Sequence, residues 1–234
     1  MEYITSSDFH FKDTAVALGK FEGIHRGHQL LMDEVKKQEL HGLRSVVFTF
    51  DRPTRLTLTG DTEYKQIYTK KERREILEKR GIDILIEHPF TKEFAALTPD
   101  RFIREVLVEK VGAKVIVVGT DFHFGKNRSG SITDLEKLEE ECGYHLIVVE
   151  KLQLNGKDIS STRIRASLEK GAMEEAKALL GRNYSVSGEI LHGNALGRTI
   201  QVPTINQQVP SFKLLPPNGV YVSKIHWKDE VYYG

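Results

Sequence analysis

The chain has 234 residues, with 34 Lys and Arg against 33 Asp and Glu, a formal charge of +1, and a single cysteine, Cys142. That length allows a substantial core and fits two modest domains better than one large one. The charge balance disfavours nucleic acid as principal ligand, one cysteine excludes an intramolecular disulfide or a cysteine-based zinc cluster, and no apolar run reaches membrane-spanning length.

The opening residues Met1 to Thr5 lack the basic and apolar regions of a secretory signal, so the expectation is a cytoplasmic protein without membrane contact. Ala15 to Leu18 is a short apolar run of the kind a buried parallel strand shows. It runs into Gly19-Lys20-Phe21-Glu22-Gly23-Ile24-His25-Arg26-Gly27-His28, and Gln29 to Val35 then spaces its apolar residues as a helix does. Strand, glycine-rich turn and helix in that order make a phosphate site. Glycines let the backbone approach an anion, and the first amides of the helix point free N–H groups at it. His25 and His28 stand at the mouth of the helix, where an imidazole N–H can stabilise charge developing on phosphorus. A plain turn with capping or exposed histidines is the competing interpretation, which two histidines and three glycines in this order disfavour. No Gly-Lys-Ser/Thr follows, so this is not a Walker loop.

Further strands are predicted at Ser45 to Phe50, Ile82 to Ile86, Lys114 to Val118 and Tyr144 to Val149. Helices fit Lys70 to Arg80, Pro99 to Val111 and Asp134 to Cys142, with Thr98-Pro99 supplying an N-cap and a first-turn proline. Alternation of this kind predicts an α/β fold with a parallel sheet covered by helices, and ligands then bind at the carboxyl ends of the strands. Asp121 to Arg128 follows one such strand and offers Phe122 and Phe124, whose rings fit either a ligand or the core. In Ile159 to Arg165, Ser160 or Ser161 caps a helix running through Ala166 and Leu168 toward Gly171. Alone, this stretch is an ordinary cap with solvated arginines; beside the histidine turn, its hydroxyls and Arg163 or Arg165 face an anion.

After Gly181 the texture changes to short alternating segments, Val186 to Leu191, Thr199 to Val202 and Val220 to Trp227, broken by Gly and Pro. These predict antiparallel strands of a small barrel or sandwich, with domains at 1–182 and 183–234.

Three blocks carry a family resemblance: Gly19-x-Phe21-Glu22-Gly23-x-His25-x-Gly27-His28, Val118 through Gly130, and Ile159-Ser160-Ser161-Thr162-Arg163-Ile164-Arg165. With Phe94-x-x-Leu97-Thr98-Pro99-x-x-Phe102-Ile103 they resemble bacterial FAD synthetases, the N-terminal half of bifunctional riboflavin kinase/FAD synthetases. The resemblance implies a Rossmann-like nucleotidyltransferase domain that transfers AMP from ATP to FMN with Mg²⁺, giving FAD and pyrophosphate. It implies an ATP site at Gly19, Phe21, Gly23, His25, Gly27, His28, Ser160, Ser161, Thr162 and Arg163, with His25, His28 and Arg163 catalytic. It implies an FMN site at Phe50, Asp121, Phe122, Phe124, Asn127 and Arg128, and it assigns no residue to a metal. The chain departs from the family pattern at Glu22, where Asp is usual, and at Asp51-Arg52-Pro53, where Pro-His-Pro is usual after the acid.

Residues 181–221 are similar to the start of the riboflavin kinase module, whose Pro-Thr-Ala-Asn element supplies Thr and Asn near Mg²⁺ and phosphate; Thr204 and Asn206 match it as a kinase-like remnant. Ile205 replaces Ala, Gln201-Val202 replaces Gly-Phe, and the chain stops at Gly234 before the family's catalytic glutamate, so an incomplete β-barrel-like segment without kinase activity is expected. The competing functions are a truncated bifunctional enzyme, a nucleotidyltransferase for another phosphorylated metabolite, and a flavin or nucleotide sensor without turnover.

Overall fold

The computed structural model describes residues 1–191 and 204–234. The predicted segment Thr199 to Val202 lies outside the described residues.

Apolar residues on both faces of four strands build the core. A six-stranded parallel sheet has the order β1-β4-β3-β2-β5-β6, from β1 (Glu2–Ile4), β2 (Thr14–Leu18), β3 (Arg44–Phe50), β4 (Ile84–His88), β5 (Ala113–Gly119) and β6 (His145–Val149). Val16, Leu18, Val46, Phe48, Ile84, Ile86, Ile116 and Val118 form one buried layer, and Ala15, Ala17, Val47, Leu85, Val115 and Val117 form the other. Alternate side chains leave opposite faces of a strand, so strands apolar at every position must be covered on both sides.

The first layer meets Phe102, Ile103, Val106 and Leu107 of a helix that begins as α5 (Pro99–Arg101) and continues π-wound over Phe102–Lys110, together with Leu135 of α6 (Ile132–Cys142). Val111 N–H donates to Val106 O at 2.9 Å, the five-residue spacing of a π turn. The second layer meets Leu31, Met32 and Val35 of α1 (Arg26–Lys37) and Leu77 of α3 (Lys70–Lys79). Short helices α2 (Thr54–Thr59) and α4 (Lys92–Ala95) lie in the connections after β3 and β4.

The five strands and the helices predicted before Gly181 are present, with ends displaced by three residues at most; of the later segments, Val186 to Leu191 is a strand over Glu189–Leu191 and Val220 to Trp227 over Lys224–Trp227. The three-residue edge strand β1 carries too few residues for a pattern and was not predicted. Because β3 lies on one side of β2 and β5 on the other, the chain reverses its direction of travel across the sheet there. The carboxyl ends of β2 and β5, where open sheets of this kind bind ligands, lead into the loops at 19–28 and 120–129.

After β6 come the small hairpin β7 (Gln153–Leu154) with β8 (Lys157–Asp158), then α7 (Ser161–Glu169) and α8 (Met173–Leu180). The described part of the C-terminal segment forms two antiparallel pairs, β9 (Glu189–Leu191) with β10 (Asn206–Gln208) and β11 (Lys224–Trp227) with β12 (Glu230–Tyr233).

A buried ion pair fastens this segment to the sheet domain. Lys213 Nζ donates to Glu72 Oε2 at 2.7 Å, to Ile67 O at 2.7 Å and to Ser185 O at 3.0 Å, and it lies 4.6 and 4.5 Å from the ring centroids of Tyr68 and Tyr184. Glu72 also closes the capping box of α3 with Thr69, and its Oε1 accepts from Ser187 N–H and Oγ–H. Burial lowers the Lys213 ammonium to about 8, against the upward pull of Glu72. Main-chain bonds add Gln66 N–H to Phe212 O at 2.6 Å and Leu214 N–H to Gln66 O at 2.8 Å.

Candidate active site

The turn after β2 is built by close approaches and by two left-handed residues that are not glycine. Phe21 (φ 46°) and Ile24 (φ 41°) take the left-handed region, which costs a β-branched residue on the order of 1–3 kcal/mol. Both side chains are fully buried against α1 and the sheet, and that burial holds the conformation. The glycines serve packing instead. A Cβ on Gly23 would lie 3.3 Å from Ile164 Cδ1 and 3.6 Å from Ser161 Oγ, so the turn is pressed against the start of α7. A Cβ on Gly27 would lie 3.2 Å from His25 Nδ1.

That space is occupied by a histidine cap. His25 is the N-cap of α1, and its Nδ1 accepts from His28 N–H at 3.2 Å. The ring proton therefore sits on Nε2, free to donate outward. His28 stacks on it with centroids 3.6 Å apart and lies 5.0 Å from the Phe21 ring. Burial, aided by Arg182, lowers His25 to about 4; burial, then His25 and Arg182, push His28 well below the usual imidazole range. Both rings are therefore neutral at pH 7, a state in which each can donate an N–H without carrying charge. His28 Nδ1 is buried with no hydrogen-bond partner among the described residues.

Beside Gly23, Ser160 caps α7, its Oγ accepting from Arg163 N–H at 3.3 Å. Two helix starts, those of α1 and α7, thus converge beside Gly23, each with free first-turn amides. Ser161 is half-buried against the turn and Thr162 is exposed. The two arginines diverge. Arg163 donates to Glu175 Oε1 at 2.9 Å, to Leu154 O at 2.9 Å and to Lys157 O at 3.2 Å, which ties α7 to α8 and to the β7–β8 hairpin. Arg165 instead pairs with Glu22 of the turn, stacks over Tyr64 at 4.4 Å and donates to Lys65 O at 2.6 Å. Of the two, Arg165 is the one brought to the phosphate turn. Glu22 also accepts from Tyr64 O–H at 2.8 Å, and burial with Glu22 pushes that phenol up to about 12.

A pocket opens on the far side of Glu22, with Lys20, Phe50, Arg52, Tyr64 and Tyr68 among its lining. Phe50 lies in this lining and in an aromatic group with Phe90 at 4.7 Å and Phe94 at 5.7 Å. In the loop after β5, Phe124 is 7% exposed, stacks on Phe122 at 5.5 Å and meets Phe102 at 5.4 Å, so its ring belongs to the core. A Cβ on Gly130 would lie 2.9 Å from that ring. Phe122 is half-buried; Asp121, Asn127 and Arg128 are exposed, the last two with φ of 55° and 59°. Asp121 lies close enough to His25 to raise its pKa and is paired with Lys151 at 3.1 Å. Thr204 and Asn206 are exposed, Asn206 opposite Leu191 in the β9–β10 pair.

Sequence reasoning missed Tyr64, Tyr68 and Arg182. Arg182 donates to the carbonyls of Gly23, at 2.9 Å, and Ile24, at 2.8 Å. Its sequence position, at the boundary expected between 1–182 and 183–234, gave no sign of this reach.

Comparison with known proteins agrees with the geometry. The FAD synthetase family model matches residues 8–163 and the riboflavin kinase model matches 180–234. Bifunctional riboflavin kinase/FMN adenylyltransferase of Listeria monocytogenes is 34% identical over 99% of this chain and 74% of its own length. The Bacillus subtilis protein of the same description is 35% identical over 94% of this chain and 70% of its own. A crystal structure described as a macrolide-efflux protein from Streptococcus pneumoniae superposes with a TM-score of 0.88 at 30% identity, covering 100% of this chain and 77% of that one. With the histidine turn, the capped α7 and both modules in order, the chain belongs to the bifunctional riboflavin kinase/FMN adenylyltransferase family.

Proposed function

We propose that this chain is an FMN adenylyltransferase. A phosphate oxygen of FMN attacks the α-phosphorus of ATP in line; that P–O bond forms as the bond to the β-phosphate oxygen breaks, and pyrophosphate leaves with the electron pair. FAD is the product. The observation that carries the proposal is the neutral, stacked His25–His28 pair at the start of α1, set opposite the capped start of α7.

His25 Nε2–H and the amides of both helix starts hold the nucleotide phosphates, with His28 stacked beside them; Ser160, Ser161 and Thr162 supply hydroxyls. Arg165, rather than Arg163, neutralises phosphate charge after exchanging Glu22 for the substrate. The pocket lined by Phe50, Tyr64 and Tyr68 takes the flavin end, and Asp121, Phe122, Asn127 and Arg128 of the loop after β5, exposed or half-buried, supply further contacts to FMN. Among the described residues no cluster of three His, Cys, Asp or Glu side chains could hold a metal ion alone. That suits Mg²⁺ arriving on the ATP phosphates, where it neutralises their charge.

Residues 1–182 form the adenylyltransferase unit and 183–234 the kinase-like unit. Riboflavin phosphorylation by these 234 residues is proposed to be absent, on the altered threonine loop with Ile205 in place of Ala. ATP-dependent conversion of riboflavin to FMN would overturn that part. A transport role, named in the description of the pneumococcal structure, draws no support: among the described residues no helix is long and apolar enough to cross a membrane. Incubation with FMN, ATP and Mg²⁺, followed by chromatography, tests the main proposal. FAD is the expected product, and nucleotidylation of a different phosphate ester in its place would favour the alternative transferase.

A further inference from the structure

The left-handed conformation of Ile24 places its carbonyl within reach of two side chains. Gln29 Nε2 donates to it at 3.0 Å from α1, and Arg182 Nη1 donates at 2.8 Å from beyond α8. Arg182 does more than hold one carbonyl. Nη2 takes Gly23 O at 2.9 Å, and Nη1 also takes Leu180 O at 3.2 Å, so one planar guanidinium spans the corner of the phosphate turn and the end of a helix. Gly181 makes this reach possible. Its φ of 71° ends α8, and a Cβ there would lie 3.1 Å from Arg26 Cγ, so the end of α8 presses on the first turn of α1.

The same guanidinium lies 5.1 Å from the ring centroid of Tyr68, a wall of the pocket proposed for the flavin. Gly23 and Ile24 directly precede the capping residue His25, so any movement of their carbonyls rotates the ring that donates to phosphate. The charge of Arg182 also faces both histidines and disfavours their protonation, with Asp121 opposing it at His25.

We infer that Arg182 is a positioning residue for adenylyl transfer, clamping the strained Gly23–Ile24 corner so that His25 and His28 meet the phosphates in a fixed orientation. This inference rests on the function proposed above. It assigns a residue at the boundary of the two units to the work of the first.

The test compares full-length wild-type protein with Arg182→Met and Arg182→Lys. Wild-type FAD formation under the same conditions separates a failure of this inference from a failure of the functional proposal. Arg182→Met should lower kcat on the order of 10²-fold, the scale of a misplaced catalytic group, with a smaller change in KM for ATP. Its His25 and His28 resonances should titrate at higher pH than in wild type. Arg182→Lys, which keeps the charge and loses the fork, should return the titrations toward wild type and recover only part of kcat. Unchanged kcat in a folded Arg182→Met protein overturns the inference, as does a lowered kcat with unmoved histidine titrations and a lowered melting temperature. If the Met variant does not fold, the Lys variant decides, and wild-type kcat in it overturns the inference.

Discussion

His25 and His28 stack with their planes 15° from parallel and their centroids 3.6 Å apart, a contact that two imidazolium ions would oppose. In the proposed mechanism the pair works as neutral donors that hold negative charge. Replacing His28 by Ala should leave the circular dichroism spectrum intact and lower turnover by about two to three orders of magnitude, the usual scale for a preorganised donor. Unchanged turnover would remove His28 from the chemistry.

The same neutrality makes the fold sensitive to acid. His25 titrates at about 4 in the folded protein against 6.5 for an ordinary imidazole. Between those values the unfolded chain binds a proton that the folded one does not, so stability present above pH 6.5 is lost as pH falls toward 4. The loss from His25 is roughly 3 kcal/mol, and His28 adds to it in the same direction. Urea unfolding at pH 7 and pH 4.5 measures it. His25→Asn keeps a capping side chain and should shrink the difference by the share His25 contributes, leaving that of His28.

Arg163 and Arg165 stand two residues apart and are predicted to fail in different ways. Arg165→Ala should raise KM for ATP about tenfold or more with little change in melting temperature, because it removes the cation facing the turn. Arg163→Ala should lower stability by about 1–3 kcal/mol while KM changes little, because its contacts run to Glu175, Leu154 and Lys157. Steady-state kinetics and thermal melting on the two variants separate the roles, and the reverse pattern would restore Arg163 to the site.

Lys213→Met breaks a pair in which the lysine side chain is 0% and the glutamate 3% exposed. Glu72 would keep its bonds to Thr69 and Ser187 but lose its counter-ion, at a cost of about 3–5 kcal/mol. Lys213 also holds Ile67 O beside Tyr68, so KM for FMN should rise severalfold more than KM for ATP. Chemical denaturation and kinetics check both parts.

The sheet was legible because Ala15 to Leu18, Val46 to Phe48 and Val115 to Val118 are apolar at consecutive positions, which only a doubly covered strand tolerates. The phosphate turn was legible from its glycines, although their reason lies in close packing and the left-handed positions fall on Phe21 and Ile24. Phe124 could not be told from a ligand-facing ring, since only the approach of Gly130 and Phe102 decides that it is core. Arg163 and Arg165 fit one sequence pattern, and their directions depend on where Glu175 and Glu22 lie in space. Thr69 and Glu72 carry a readable capping box, but nothing local announces that Lys213 closes on it from 141 residues away.

The most direct test of adenylyl transfer is incubation of the protein with FMN, Mg²⁺ and ATP labelled at the α-phosphorus. Transfer of the label into FAD, with one pyrophosphate released per FAD formed, is the predicted result. Label remaining in ATP or appearing only in ADP, with no FAD detected, would contradict it.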